Sequence, residues 1–270
     1  MTTENPAPGR VAFVGAGPGQ ADLITVRGAQ RLALAQVVLF DSLADPALRA
    51  LAPKARWIDV GKRGFSGVPH GTREPGAENA GQATINALLV KHASAGLYVV
   101  RLKGGDPSVF GRLEEELEAL AAAGIDCEVV PGVSAALAAA AATQRPLTRR
   151  GSGRSVALTT AMTHDRGLQV GRHADTEVFY MAGKQLGALA RRLAATGWPA
   201  DVAVSVVSRA GWPDELASDH TIATLGQATV VHAGRPTVVV VGAGARKIGS
   251  SPRSSTPARA GQRALRTPAP

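Results

Sequence analysis

One cysteine, Cys127, is too few for an internal disulfide framework or a cluster of zinc-binding thiolates. It lies in a strand-like stretch, IDCEVV, where a solitary thiol is ordinarily inert core. No run approaches the roughly 18 apolar residues of a membrane helix. The opening MTTENPAPGR lacks an apolar signal-peptide core, so the expected setting is the cytoplasm. The P-loop pattern G-x-x-x-x-G-K-[ST] is missing, as is the G-x-S-x-G elbow of serine hydrolases. His70, His92, His164, His173, His220 and His232 form neither H-x-x-x-H nor H-E-x-x-H, which argues against a metal site. Acid is missing from residues 246–270, which hold Arg246, Lys247, Arg253, Arg259, Arg263 and Arg266. That tail carries most of the formal charge of +9 and leaves about +3 for the rest, an ordinary balance that needs no nucleic acid. Rich in Ser, Pro, Ala and Arg without apolar periodicity, it reads as a disordered, solvated end; a tether for nucleic acid or another anionic partner is the alternative.

The chain does have core-forming material: 45% of its 270 residues are hydrophobic, enough for one large or two modest domains. Beyond a flexible start at 1–9, short β-branched runs alternate with helical patterns. RVAFVG predicts a buried strand, Thr25 a helix cap, and QVVLFD a second strand ending at Asp41. ARWIDVG, LYVVRLKGG and CEVVPG read as further strands. QATINALLVKHASAG, a segment from about Ser108 and SAALAAAAAT read as helices. This alternation predicts an N-terminal α/β domain over 10–145 with a largely parallel sheet. The linker-like QRPLTRRGSGRS then leads into a second α/β domain over 146–245, with strands at SVALTT, TEVFYMA, DVAVSVVS, DHTIATL and RPTVVVVG around the helix KQLGALARRLAATG. Residues 64–81 have almost no core-forming side chains and read as a long loop, either a lid or a disordered insertion.

Two glycine-rich turns follow strands. In VGAGPGQADLIT, Gly15, Gly17 and the later Asp41 invite a dinucleotide-binding reading. That reading fails in detail. Gln20 stands at the third glycine position, Pro18 stiffens the turn, and the helix waits until after Thr25, leaving no helix N-terminus beside the glycines. The second turn, VRLKGGDPSVFG, bends abruptly at Gly104, Gly105, Asp106 and Pro107. Taken singly, its glycines turn the chain and Asp106 caps a helix.

Together with VLFDSLA, VGKR, QATINALLV, VVPGVSAALAAA, PLTRR and FYMAG, these stretches occur in an order and spacing that resembles the tetrapyrrole methylases, over roughly residues 10–245. The likeness is closest to the members that methylate uroporphyrinogen III. It implies two α/β domains with S-adenosylmethionine in the cleft between them, and a homodimer. Carried over residue by residue, it implies cofactor contacts from Pro18, Gly104, Gly105, Asp106, Val109, Ser134, Ala135, Met181, Ala210, Pro236 and Thr237. Glycines admit a close backbone approach, Asp106 can face the cationic methionine end, and Met181 suits a purine.

The implied reaction moves two methyl groups onto ring carbons of uroporphyrinogen III, giving precorrin-2 on the way to sirohaem or cobalamin. Asp41 and Lys62 match the positions of proton acceptor and donor; an anion clamp is an equally good use of Lys62. Arg63, Arg101, Arg112, Arg149 and Arg150 are candidates to hold the substrate's carboxylates. The chain departs from the family pattern in the 64–81 insertion, in Leu113 and Glu114 where glycines are usual, in Ser134 and Arg149, and at 160–162. These departures fall mostly where the substrate is expected. Two further readings therefore stand beside this one: a methyltransferase of the same fold with another acceptor, and a non-catalytic protein that retains the cofactor pocket.

Overall fold

A computed structural model describes residues 9–61, 81–162, 168 and 170–249. Lys62, Arg63, the insertion at 64–80, the N-terminal 1–8 and the tail from 250 lie outside the described residues.

The first sheet contains β1 (Val11–Gly15), β2 (Val37–Phe40), β3 (Arg56–Asp59), β4 (Val99–Lys103) and β5 (Cys127–Val130), in the order β3-β2-β4-β1-β5. Every pairing is parallel, as strand–helix alternation dictates. Three helices belong here: α1 (Val26–Ala33), α2 (Gln82–Ser94) and α3 (Leu113–Ala122). Thr25 caps α1 as expected, its hydroxyl accepting from the Gly28 N–H at 3.0 Å. Because side chains alternate along a strand, Val11, Phe13, Leu39 and Val99 pack against α2 and α3, while Val14, Val38, Val100 and Leu102 pack on the side of Leu32 and Leu48.

The second sheet is mixed. It comprises β6 (Val156–Thr160), β7 (Thr176–Tyr180), β8 (Ala203–Ser208), β9 (Leu216–Thr221) and β10 (Thr237–Gly242), ordered β6-β7-β10-β8-β9, with only β6 and β7 parallel. Helix α4 (Ala135–Ala142) covers one face; α5 (Leu186–Ala195) covers the other, with the short α6 (Thr229–His232) near its edge.

Three expectations change. The helix anticipated from about Ser108 begins at Leu113, because Phe110 and Arg112 take left-handed φ values of 53° and 54° and interrupt any helical run. The strand read at DHTIATL sits earlier, at Leu216–Thr221, and Leu225 turns instead into a 3-10 segment. Helix α4 precedes the linker yet packs on the second sheet, where Ala136, Ala138 and Ala139 meet Val178, Val207, Val238 and Val240. Small alanine side chains let the helix lie close to that sheet.

Candidate active site

The C-terminal ends of β1 and β4 bring both glycine-rich turns together. Gly17 and Gly105 form an antiparallel bridge, and the loop after β5 closes on them. Closeness demands glycine here: a Cβ on Gly132 would lie 2.3 Å from the Gly105 carbonyl oxygen. Asp106 staples the assembly, accepting from the Ser108 N–H at 2.7 Å and the Gly132 N–H at 2.9 Å. The capping role of Asp106 is thus realised as a turn, and its carboxylate remains at the wall of a cavity.

That cavity, about 400 Å³, lies between the two sheets. Pro18, Gly104, Gly105, Asp106, Val109, Ser134, Ala135, Met181, Ala210, Pro236 and Thr237 all line it. Phe110, Tyr180, Lys184, Arg209, Trp212 and Arg235 line it too, and the sequence reading missed them. Tyr180 follows directly from period-2 alternation with Val178, which shares its face. Its hydroxyl bonds the Ser134 hydroxyl at 2.7 Å and accepts from the Ala136 N–H at 3.3 Å, tying α4 to β7. Phe110 stacks at 5.1 Å on Tyr180. Left-handed conformations cluster here: Phe110, Met181 and Arg209 are three of the five non-glycine residues with positive φ among the described residues. Trp212 donates to the Pro18 carbonyl at 3.0 Å, and Gln20 N–H donates to that of Gly211 at 2.7 Å, so the halves clasp beside the cavity. The Arg209 guanidinium lies 4.3 Å from the Trp212 ring centre and pairs with Asp214.

Asp41 follows β2 and does not itself line the cavity. Its carboxylate accepts from the Gly104 N–H at 3.2 Å and the Leu43 N–H at 3.0 Å, and both donors belong to cavity-lining residues. Of the arginines expected to meet substrate, Arg112 is exposed and forms a two-pronged pair with Glu115 at 2.7 and 2.6 Å. Arg149 does not line the cavity and donates to the Arg246 carbonyl; Arg150 is exposed on the same turn. Arg101 is 5% exposed and points into the α3 side of the sheet, where Glu116 takes its Nε at 3.0 Å. Glu116 also pairs with Lys103, and burial pushes the Lys103 amine below its ordinary range, with Arg101 adding to that and Glu116 opposing it. Arg101 is therefore engaged inside the layer, sharing Glu116 with Lys103.

Residues 10–226 match the family model described as Tetrapyrrole (Corrin/Porphyrin) Methylases. The chain belongs to the tetrapyrrole methylases. It is 37% identical over 255 residues to a uroporphyrinogen-III C-methyltransferase of Pseudomonas aeruginosa, covering 91% of this chain and 98% of that one. A siroheme synthase of Baumannia cicadellinicola is 39% identical over 241 residues, covering 87% of this chain but 50% of the longer relative. Among solved structures, a uroporphyrin-III C-methyltransferase of Thermus thermophilus complexed with S-adenosylhomocysteine superposes with a TM-score of 0.72 at 33% identity, covering 87% of this methylase and 92% of the other. Among the described residues no helix is long and apolar enough to cross a membrane, and no three His, Cys, Asp or Glu side chains gather as a metal site.

Proposed function

We propose that this methylase transfers methyl groups from S-adenosylmethionine to two ring carbons of uroporphyrinogen III, yielding precorrin-2. The single observation that carries the reading is the cavity, in which eleven residues scattered from Pro18 to Thr237 converge between the sheets. Its chemistry fits the cofactor. Val109, Ala135, Met181, Ala210 and Val238 offer apolar contact to a purine and thioether, while Asp106 at the wall complements an ammonium group. When bound, the cofactor supplies an electrophilic methyl group on a sulfonium.

The protein's own residues then align the acceptor carbon and manage protons. Asp41 acts as the proton acceptor, its carboxylate oriented by the Gly104 and Leu43 N–H groups. Arg112, exposed and paired with Glu115, is suited to exchange that partner for a substrate carboxylate. Lys62 and Arg63 belong to the same reading through sequence alone. A homodimer in the cytoplasm completes it, with light scattering as the check on assembly.

Mass spectrometry of the product after anaerobic incubation with uroporphyrinogen III and methyl-labelled S-adenosylmethionine tests the proposal. Two labelled methyls per macrocycle are expected. Cofactor binding without transfer to this substrate would retain the pocket and discard the acceptor.

A further inference from the structure

The second domain contains a line of hydrogen bonds that ends at the cavity wall. Thr237 donates its hydroxyl proton to the Arg235 carbonyl at 2.8 Å. Its oxygen is 3.0 Å from the Ser208 hydroxyl, which must therefore be the donor in that contact. Ser208, its own proton spent, accepts from His232 Nδ1 at 2.5 Å. A neutral imidazole with hydrogen on Nδ1 has a bare Nε2, and this accepts from the Ser218 hydroxyl at 2.8 Å. Ser218 in turn accepts from His220 Nε2 at 2.8 Å. Every proton points toward the cavity, and one tautomer of each histidine satisfies the whole line.

The geometry points to His232 as a positioning residue of the cofactor cavity, which in its neutral form fixes the 235–237 wall. The inference rests on the cofactor reading above. Arg235, Pro236 and Thr237 all line the cavity, whereas His232, Ser208, Ser218 and His220 do not. The wall is tightly held: a Cβ on Gly183, across from it, would come within 2.2 Å of the Arg235 carbonyl oxygen and 3.1 Å of Thr237 Oγ1. A reoriented Thr237 hydroxyl would therefore be felt directly by the neighbouring turn.

His232 is fully buried. A proton added to Nε2 would leave the Nδ1–H donation to Ser208 in place but remove the acceptor of the Ser218 hydroxyl, so the line would part between His232 and Ser218 and place a charge in a buried site. Burial lowers the His232 pKa, and His220 and Arg235 add to the effect. Lys184, on the 3-10 turn packed against α6, is a further cation on these elements. Asp219, next to Ser218 in β9, is instead engaged by Arg145 and Lys247. Because the folded pKa is depressed, the contribution is present above the ordinary imidazole value of about 6.5 and is lost as pH falls through the lower, folded value.

Calorimetric titration with S-adenosylhomocysteine, at a series of pH values from about 8 downward past the ordinary imidazole value of about 6.5 to the acid limit of the folded protein, tests the inference. Ser218→Ala, remote from the cavity, is expected to weaken binding roughly three- to ten-fold at the highest pH, with Ser218→Thr restoring it. Wild type is expected to lose affinity in a step that lies below the ordinary imidazole value. His232→Asn, whose amide still serves Ser208 but does not titrate, is expected to bind well and to lose that pH step. Wild-type affinity in Ser218→Ala, or a pH step retained in His232→Asn, overturns the inference while leaving the cofactor reading intact. Failure of wild type to bind at any pH overturns both. Nitrogen-15 NMR of the ligand-free protein gives a separate check: hydrogen on Nε2 of His232 at neutral pH overturns the proposed direction.

Discussion

Replacing Glu116 by Gln removes the carboxylate that pairs with both Arg101 and Lys103. All three side chains are nearly inaccessible, at 0%, 6% and 4%. Arg101 keeps main-chain acceptors at Leu39 and Leu102, but the ammonium of Lys103 loses its paired carboxylate and keeps only the more weakly acting Asp41. Breaking a buried pair from one side costs about 3–5 kcal/mol. At roughly 2–4 °C per kcal/mol for a chain of this size, the melting temperature falls by about 6–20 °C. The sign with pH follows from Lys103. Its folded pKa is already depressed by burial, so the unfolded state binds more protons and stability rises with pH through that folded value. Losing Glu116 depresses it further, so the deficit of Glu116→Gln against wild type is largest near neutrality and narrows as pH climbs toward the ordinary lysine value of about 10.4. Urea unfolding at several pH values measures this. A deficit below about 1 kcal/mol, or one that does not narrow, would refute the reasoning because the pair would then carry little uncompensated charge.

Asp41→Asn is expected to leave S-adenosylhomocysteine binding within about twofold and to lower turnover by roughly 10²-fold or more, whereas Asp106→Ala weakens that binding through the loss of its tie to Gly132; calorimetry beside a methyl-transfer assay separates the two. Tyr180→Phe strips partners from the Ser134 hydroxyl and the Ala136 N–H and should cost about 1–3 kcal/mol in denaturant unfolding. Gly132→Ala places a Cβ 2.3 Å from the Gly105 oxygen, so the variant is expected to lose cofactor binding, a result thermal-shift titration would register. Asp219 is held at about 2, chiefly by hydrogen bonding from Arg145, so the pair's contribution is present above the ordinary aspartate range and is lost as pH falls through about 2. In Arg145→Met, the Asp219 carboxyl observed by NMR should titrate nearer its ordinary value.

The first domain was readable because strands such as β1 and β2 are buried throughout and appear as apolar runs, and because Thr25 is a local cap that owes nothing to distant residues. The eleven cavity residues were named through family likeness rather than physics, since nothing local to Pro18 or Pro236 announces that they meet. Phe110 and Arg112 defeat helix prediction at Ser108 because bulky residues rarely take positive φ unless tertiary contacts enforce it, as the stacking of Phe110 on Tyr180 illustrates. Arg101 reads as a ligand for carboxylates until Glu116, fifteen residues onward and one helix away, occupies it. The alignment of Ser208, His232 and Ser218 depends on which strands pair, and no periodicity in the chain encodes that.

The last strand among the described residues, β10, lies in the middle of its sheet, between β7 and β8. During synthesis those two strands emerge with facing edges exposed and wait for β10 before either can be capped. Until about residue 242 has left the ribosome, the second domain is an open template for pairing with other chains. The 237–238 wall of the cavity arrives on that same strand, so closing the sheet and completing the ligand site are a single event. A ligand that binds there would select finished molecules over nascent ones.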